Sequence, residues 1–115
     1  YHSLRNQTLQ QWEWVIVDDG STEEGSLQIL NEVLLAEPRV RVVRHEQNRG
    51  LCAARNTGCR EARSEYLFLF DGDDLIEPTA LEKYLWFLES VPEAGFISSL
   101  QVGFGDNCYL YRGSF

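Results

Sequence analysis

Methionine is absent from this chain, lysine occurs once, as Lys83, and acidic residues outnumber basic ones by 18 to 10. The formal charge of −8 repels bare nucleic acid and an anionic membrane surface, so neither is expected as a partner by charge alone. A diphosphate is a different matter, because a divalent cation can sit between it and an acidic protein. No apolar run approaches the roughly 20 residues that span a bilayer. The opening Tyr1-His2-Ser3-Leu4-Arg5 also lacks the basic-then-apolar layout of a signal peptide. These absences favour a cytoplasmic location, with peripheral attachment to a membrane through regions outside this chain as the other expectation. Without an initiating Met, the numbering is not expected to begin at a natural start.

Cysteine is scarce as well. Cys52, Cys59 and Cys108 are odd in number and contain no CxxC pair, so buried thiols in a reducing compartment are expected rather than a disulfide or a metal site. Cys52 and Cys59 would share one face of a helix. His2 and His45 are isolated, have no partner at zinc-ligand spacing, and are expected at the surface or in loops. What the chain does have is ordinary: 43% hydrophobic and 24% charged residues in a length of 115, as in a soluble globular domain with one core. A single domain over 1–115 is expected.

Two periodicities alternate along it. Trp12 to Val17 is a β-rich run that stops at Asp18-Asp19-Gly20-Ser21-Thr22, a turn and helix-cap cluster. Leu27, Leu30 and Val33 or Leu34 recur at helical spacing until Glu37-Pro38 closes that helix. Val40 to Val43 reads as a strand, Asn48-Arg49-Gly50 as a loop, and Leu51 to Arg63 as an Ala-rich helix. Tyr66 to Phe70 is a continuous apolar run, as expected of a strand covered on both faces. Pro78 suits the first turn of a helix striped by Leu81, Tyr84, Leu85 and Leu88. Gly95 to Ser99 reads as a further strand, and Cys108 to Tyr111 as one more. This order predicts an α/β fold: a mostly parallel, twisted sheet with helices on both faces.

In such sheets ligands bind beyond the carboxyl ends of the strands. Two predicted strands end in acid there, at Asp18-Asp19 and at Asp71-Gly72-Asp73-Asp74. Asp is common in turns and at helix N-caps, which would account for either cluster alone. Together, five carboxylates near one edge call for a cation. Asp71 and Asp73 alternate with Gly72, so both can face one side of a tight turn while the missing side chain leaves room for a ligand. Hard oxygen ligands in small number suit Mg²⁺ or Mn²⁺ completed by water and phosphate oxygens. A calcium-binding helix-loop-helix is excluded, because Leu75 and Ile76 fill positions where that loop needs Asn, Asp or Gly.

Four blocks resemble the family 2 glycosyltransferases, inverting enzymes of the Rossmann-like GT-A fold. They are Asn6-Gln7-Thr8, Trp14 to Thr22, Asn48 to Gly58, and Glu65 to Asp74 followed by Glu77-Pro78. The last resembles the strand carrying that family's DxD motif. The resemblance implies transfer of a sugar from a nucleoside diphosphate donor to an acceptor hydroxyl of a glycan, lipid or protein. It implies that Asp19 contacts the base and that Asp18 supports the turn. Asp71 would lie near the ribose and the metal, Asp73 would bind Mn²⁺ or Mg²⁺, and Arg55 and Asn56 would border the nucleotide pocket. It also implies that the family's first strand precedes Tyr1. The acidic catalytic base would lie beyond Phe115, so no catalytic residue is expected within the chain, and a fragment with these bounds would transfer sugar hardly at all.

Other readings share parts of this pattern. A receiver-type phospho-acceptor domain also places an Asp pair and a later Asp at strand ends, with Ser98 or Ser99 following. It needs a lysine on a strand, whereas Lys83 falls on a predicted helix. A haloacid-dehalogenase-type phosphatase expects Gly and then Thr or Val after its second Asp, where Asp74-Leu75 stands. A non-catalytic binding fragment whose acidic turns only cap helices is the third alternative.

Overall fold

A computed structural model describes residues 1–99, 101–104 and 110–111. The elements are α1 (His2–Arg5), β1 (Trp14–Asp18), α2 (Glu24–Ala36), β2 (Val40–Arg44), α3 (Leu51–Glu61), α4 (Ala80–Ser90), β3 (Gln101–Val102) and β4 (Leu110–Tyr111). They divide between two compact units, Tyr1–Glu82 and Lys83–Phe115.

In the first unit β1 and β2 run parallel, with Trp14 opposite Val40 and Asp18 opposite Arg44. Register partners share a face and successive residues alternate, so this small sheet has two distinct sides. Val42 and Arg44 look toward α2, whose Leu27, Leu30 and Leu34 form the expected stripe. Val17 and Arg41 look toward α3. A methyl added at Gly58 would meet Val17 Cγ2 at 3.6 Å, and Arg41 donates to the carbonyl of Glu61 at the end of that helix. Helices thus cover both faces of a parallel sheet, as the alternating periodicity predicts. Among the described residues the buried apolar ones are few: Leu4, Val33, Val40 and Ala80.

Buried Gln7 ties the chain's start to the segment after the Asp71–Asp74 turn. Its amide nitrogen donates to the carbonyls of Ser3 (3.1 Å) and Glu77 (2.7 Å), and its amide oxygen accepts from the Leu81 N–H (3.1 Å). Thr8 N–H adds a bond to the Pro78 carbonyl at 2.8 Å. At the outer end of the sheet Arg39 lies over the Trp12 ring, 3.6 Å from its centroid, and pairs with Glu37 at 2.7 Å. Those bonds hold Glu37 well below its ordinary value, at about 2, against the opposing effect of burial.

Several expectations are corrected. Residues 66–70 form no strand, and Tyr66, Leu67, Phe68 and Leu69 are exposed. An apolar run becomes a covered strand only where neighbours supply a hydrogen-bond ladder, and no described strand pairs with this one. It meets the sheet's aromatic residues through Phe70, whose ring lies 6.2 Å from that of Trp14. Residues 95–99 are not a strand either. Pro78 stands two residues ahead of α4 rather than in its first turn. Cys52 and Cys59 are exposed, not buried. They do share a face of α3, but the helix packs on the sheet through Ala53, Ala54, Thr57 and Gly58, which turns the cysteines outward. Cys108 lies outside the described residues.

In the second unit the later turns of α4 are joined to the following segment by the Tyr84 hydroxyl, which donates to Ser99 Oγ. β3 pairs antiparallel with β4, Gln101 opposite Tyr111 and Val102 opposite Leu110.

Candidate functional site

The carboxyl ends of β1 and β2 carry the first acidic cluster, and the register sends its two aspartates opposite ways. Asp18 follows the α2 face with Arg44, and its carboxylate is buried, 3.3 Å from the Arg44 guanidinium. It also accepts from the Ser21 N–H at 2.9 Å, closing the turn. Burial pushes the Asp18 carboxyl up, but the Ser21 bonds and the Arg44 charge outweigh it, leaving the group below its ordinary value. Arg44 braces the same turn by donating to the Ser21 carbonyl at 2.7 Å.

Asp19 follows the α3 face, and His45 stands beside it. The ladder continues one step past β2 through His45 N–H to the Asp18 carbonyl, 2.9 Å, which brings the His45 ring to the level of Asp19. Nδ1 lies 2.6 Å from Asp19 Oδ1, and Nε2 lies 2.9 Å from the Thr57 hydroxyl of α3. Among the described residues the other contacts of the carboxylate are backbone N–H groups, from Arg49 at 2.9 and 3.1 Å and from Gly50 at 2.7 Å. The His45 bond, with these amides, holds Asp19 below the ordinary carboxylate value. His45 is therefore a buried, doubly bonded residue, not the surface or loop residue its isolation in the sequence suggests. Only the strand register reveals it. His2 is exposed, as expected.

The turn itself is tight. Gly20 has φ +80°, and a Cβ there would lie 2.7 Å from Asn48 N and 2.8 Å from Gln47 C. The two loops are in backbone contact, and only glycine fits. Around them opens a cleft of about 350 Å³ lined by Asp19, Gly20, Ser21, Thr22, Ser26 and Asn48 among others. Hydroxyls, an amide and two carboxylates, those of Asp19 and Glu23, face it.

The second cluster forms a reverse turn in which Asp74 N–H donates to the Asp71 carbonyl at 3.1 Å. Arg55 of α3 reaches this turn: its Nη2 lies 3.0 Å from both Asp71 oxygens, in a pair about half exposed at either end. Asp73 is exposed and has no hydrogen bond or ion pair among the described residues. No three His, Cys, Asp or Glu side chains among the described residues converge as a protein-only metal cage would require. One helix thus meets both clusters. Gly50, at its N-cap, is bound by Asp19, and Arg55, about 7.5 Å of helical rise further on, is bound by Asp71.

The sequence profile of glycosyl transferase family 2 matches residues 1–114. The chain belongs to that family. An uncharacterized glycosyltransferase of Haemophilus influenzae is 38% identical over 86 residues, covering 75% of this chain and 34% of the relative. A chondroitin synthase of Escherichia coli is 42% identical over 80 residues, covering 70% of this chain and 11% of its own length. A cholesterol galactosyltransferase of Borreliella burgdorferi is 40% identical over 77 residues, 67% of this chain and 21% of the relative. The chain spans about a third or less of the relatives it matches. In the family 2 chain the receiver-domain reading loses its remaining support, since Lys83 lies on α4. No helix among the described residues is long and apolar enough to cross a membrane.

Proposed function

We propose that these residues form the donor side of an inverting, metal-dependent glycosyltransferase that moves a sugar from a nucleoside diphosphate to an acceptor hydroxyl. The observation that carries this reading is the double engagement of α3, with Asp19 at its N-cap and Asp71 on Arg55. Two acidic clusters 52 positions apart thereby flank one helix end, where backbone N–H groups and a guanidinium are available to an anion. The hydroxyl-lined cleft beside Asp19 has the polarity to take a base and ribose.

The donor set fits a hard divalent cation. Asp73 offers an unengaged carboxylate, Asp71 stands two residues before it, and so few protein ligands leave positions for phosphate oxygens and water, as Mn²⁺ or Mg²⁺ prefers. When bound, such an ion neutralises the departing diphosphate as a Lewis acid. Arg55 orients Asp71 and adds a second positive charge on the phosphate side. Asp18 and Arg44 keep the Gly20 turn closed so that the cleft is preformed. The proton of the acceptor hydroxyl is assigned to an acidic base outside residues 1–115. The relatives' names include a chondroitin synthase and a cholesterol galactosyltransferase, so sugar and acceptor are taken to vary outside this shared segment.

Calorimetry with Mn²⁺ and a panel of UDP, GDP, CDP and ADP tests the reading. One nucleotide should bind in a Mn²⁺-dependent way, and Asp73→Ala should abolish that dependence with the melting temperature unchanged. Metal-independent affinity that survives Asp73→Ala would refute it.

A further inference from the structure

The hydrogen-bonded chain Asp19–His45–Thr57, buried at His45 and Thr57 and partly open at Asp19, joins three elements: the turn after β1, the end of β2 and the middle of α3. We propose that His45 is a positioning residue of the donor site, fixing Asp19 so that its carboxylate clamps the Asn48–Gly50 backbone and sets the rim of the nucleotide cleft. This inference rests on the donor-site reading above.

The direction of each hydrogen bond follows from chemistry. An ionised carboxylate only accepts, so His45 Nδ1 carries the proton toward Asp19. In the neutral ring Nε2 is then bare and accepts from the Thr57 hydroxyl, whose oxygen in turn accepts from Arg60 Nη2 at 3.4 Å. The ring is held at both nitrogens and cannot turn without breaking one bond. Asp19 is held correspondingly. Among the described residues its oxygens make four contacts, of which His45 supplies the only one from a side chain. The other three come from the loop that the carboxylate restrains. Without His45, Asp19 keeps its charge but loses the contact that aims it, and the Arg49 and Gly50 amides lose a fixed acceptor. Because a Cβ at Gly20 would lie 2.7 Å from Asn48 N, any shift of that loop changes the cleft wall directly.

The two ring nitrogens can be replaced separately. An asparagine amide falls where Nδ1 was and can donate to Asp19. A glutamine amide falls where Nε2 was and reaches Thr57 only. The experiment compares the protein with His45→Asn, His45→Gln and His45→Ala by amide hydrogen exchange at Arg49 and Gly50. It also measures affinity for the panel nucleotide that binds the unaltered protein most tightly with Mn²⁺. His45→Ala and His45→Gln should speed exchange at both amides and weaken the nucleotide by about tenfold, the usual scale for one hydrogen bond to a charged group. His45→Asn should restore slow exchange and bring affinity to within about threefold. Melting curves identify any variant that fails to fold, and the asparagine–glutamine comparison then decides. Equal behaviour of the asparagine and glutamine variants, or faster exchange with unchanged affinity, would overturn the proposal. If the unaltered protein binds no nucleotide of the panel, the donor-site reading fails, while the exchange rates still decide whether His45 holds the clamp.

Discussion

Gly20→Ala should be the most damaging of three glycine substitutions around the site, and the series separates two physical contributions. Gly72 has no positive φ, and a Cβ there would meet nothing within 4 Å, so alanine only restricts the unfolded chain. It should be neutral or stabilising by up to about 1 kcal/mol. Gly50 has φ +87° and ψ 161°, a region nearly closed to other residues, yet a Cβ there also meets nothing within 4 Å. Backbone strain alone is then at stake, about 1–3 kcal/mol. Gly20 combines φ +80° with approaches of 2.7 and 2.8 Å to the backbone of Asn48 and Gln47, atoms that cannot swing aside as a side-chain end would. Overpacking of this kind adds about 1–3 kcal/mol to the strain, so a total of about 2–6 kcal/mol is expected. Urea unfolding of the three variants, with slopes checked for constancy, measures the series. The expected order of loss is Gly20→Ala, then Gly50→Ala, with Gly72→Ala unharmed. If Gly20→Ala cost no more than Gly50→Ala, the close packing of the two loops would be refuted.

Two further outcomes are expected. Arg55→Ala removes an ion pair that is about half exposed, so stability should change by less than about 1 kcal/mol. Nucleoside diphosphate affinity should nevertheless fall at least about tenfold, as for one charge-assisted bond to phosphate; a large stability loss with intact affinity would reverse the assignment of Arg55. The lowered carboxyls of Glu37 and Asp18 stabilise the fold when ionised, so their contribution is complete above the unfolded value and is lost as pH falls through the folded one. For Glu37 that window runs from about 4.5 down to about 2, and the fall in urea midpoint across it should be shallower in Glu37→Gln. Parallel curves for the two proteins would contradict the role given to the Arg39 pair.

Family, the succession of β1, α2, β2, α3 and α4, and the two acidic turns were legible in the residues themselves, for a local reason. Helical spacing at Leu27, Leu30 and Val33, β-branched runs at Val15–Val17 and Val40–Val43, and glycine after Asp19 and Asp71 each act within a few residues. The four family blocks likewise lie in contiguous stretches. Register is not local, and it decided the rest. Pairing Asp18 with Arg44 sends adjacent aspartates to opposite faces, which no reading of Asp18-Asp19 alone can tell. The same register lifts His45 out of an unremarked loop into the bond with Asp19, and the packing of α3 brings Thr57 and Arg55 to their partners. The run at 66–70 shows the converse. Its composition suits a covered strand, but strand formation depends on neighbours that lie elsewhere in the chain, and among the described residues none pairs with it. The sequence by itself determined which chemical groups are present and roughly where β1, α2, β2, α3 and α4 begin. The tertiary structure decided which of them meet, because a one-residue change of register would exchange the faces of Asp18 and Asp19 while leaving every local pattern intact.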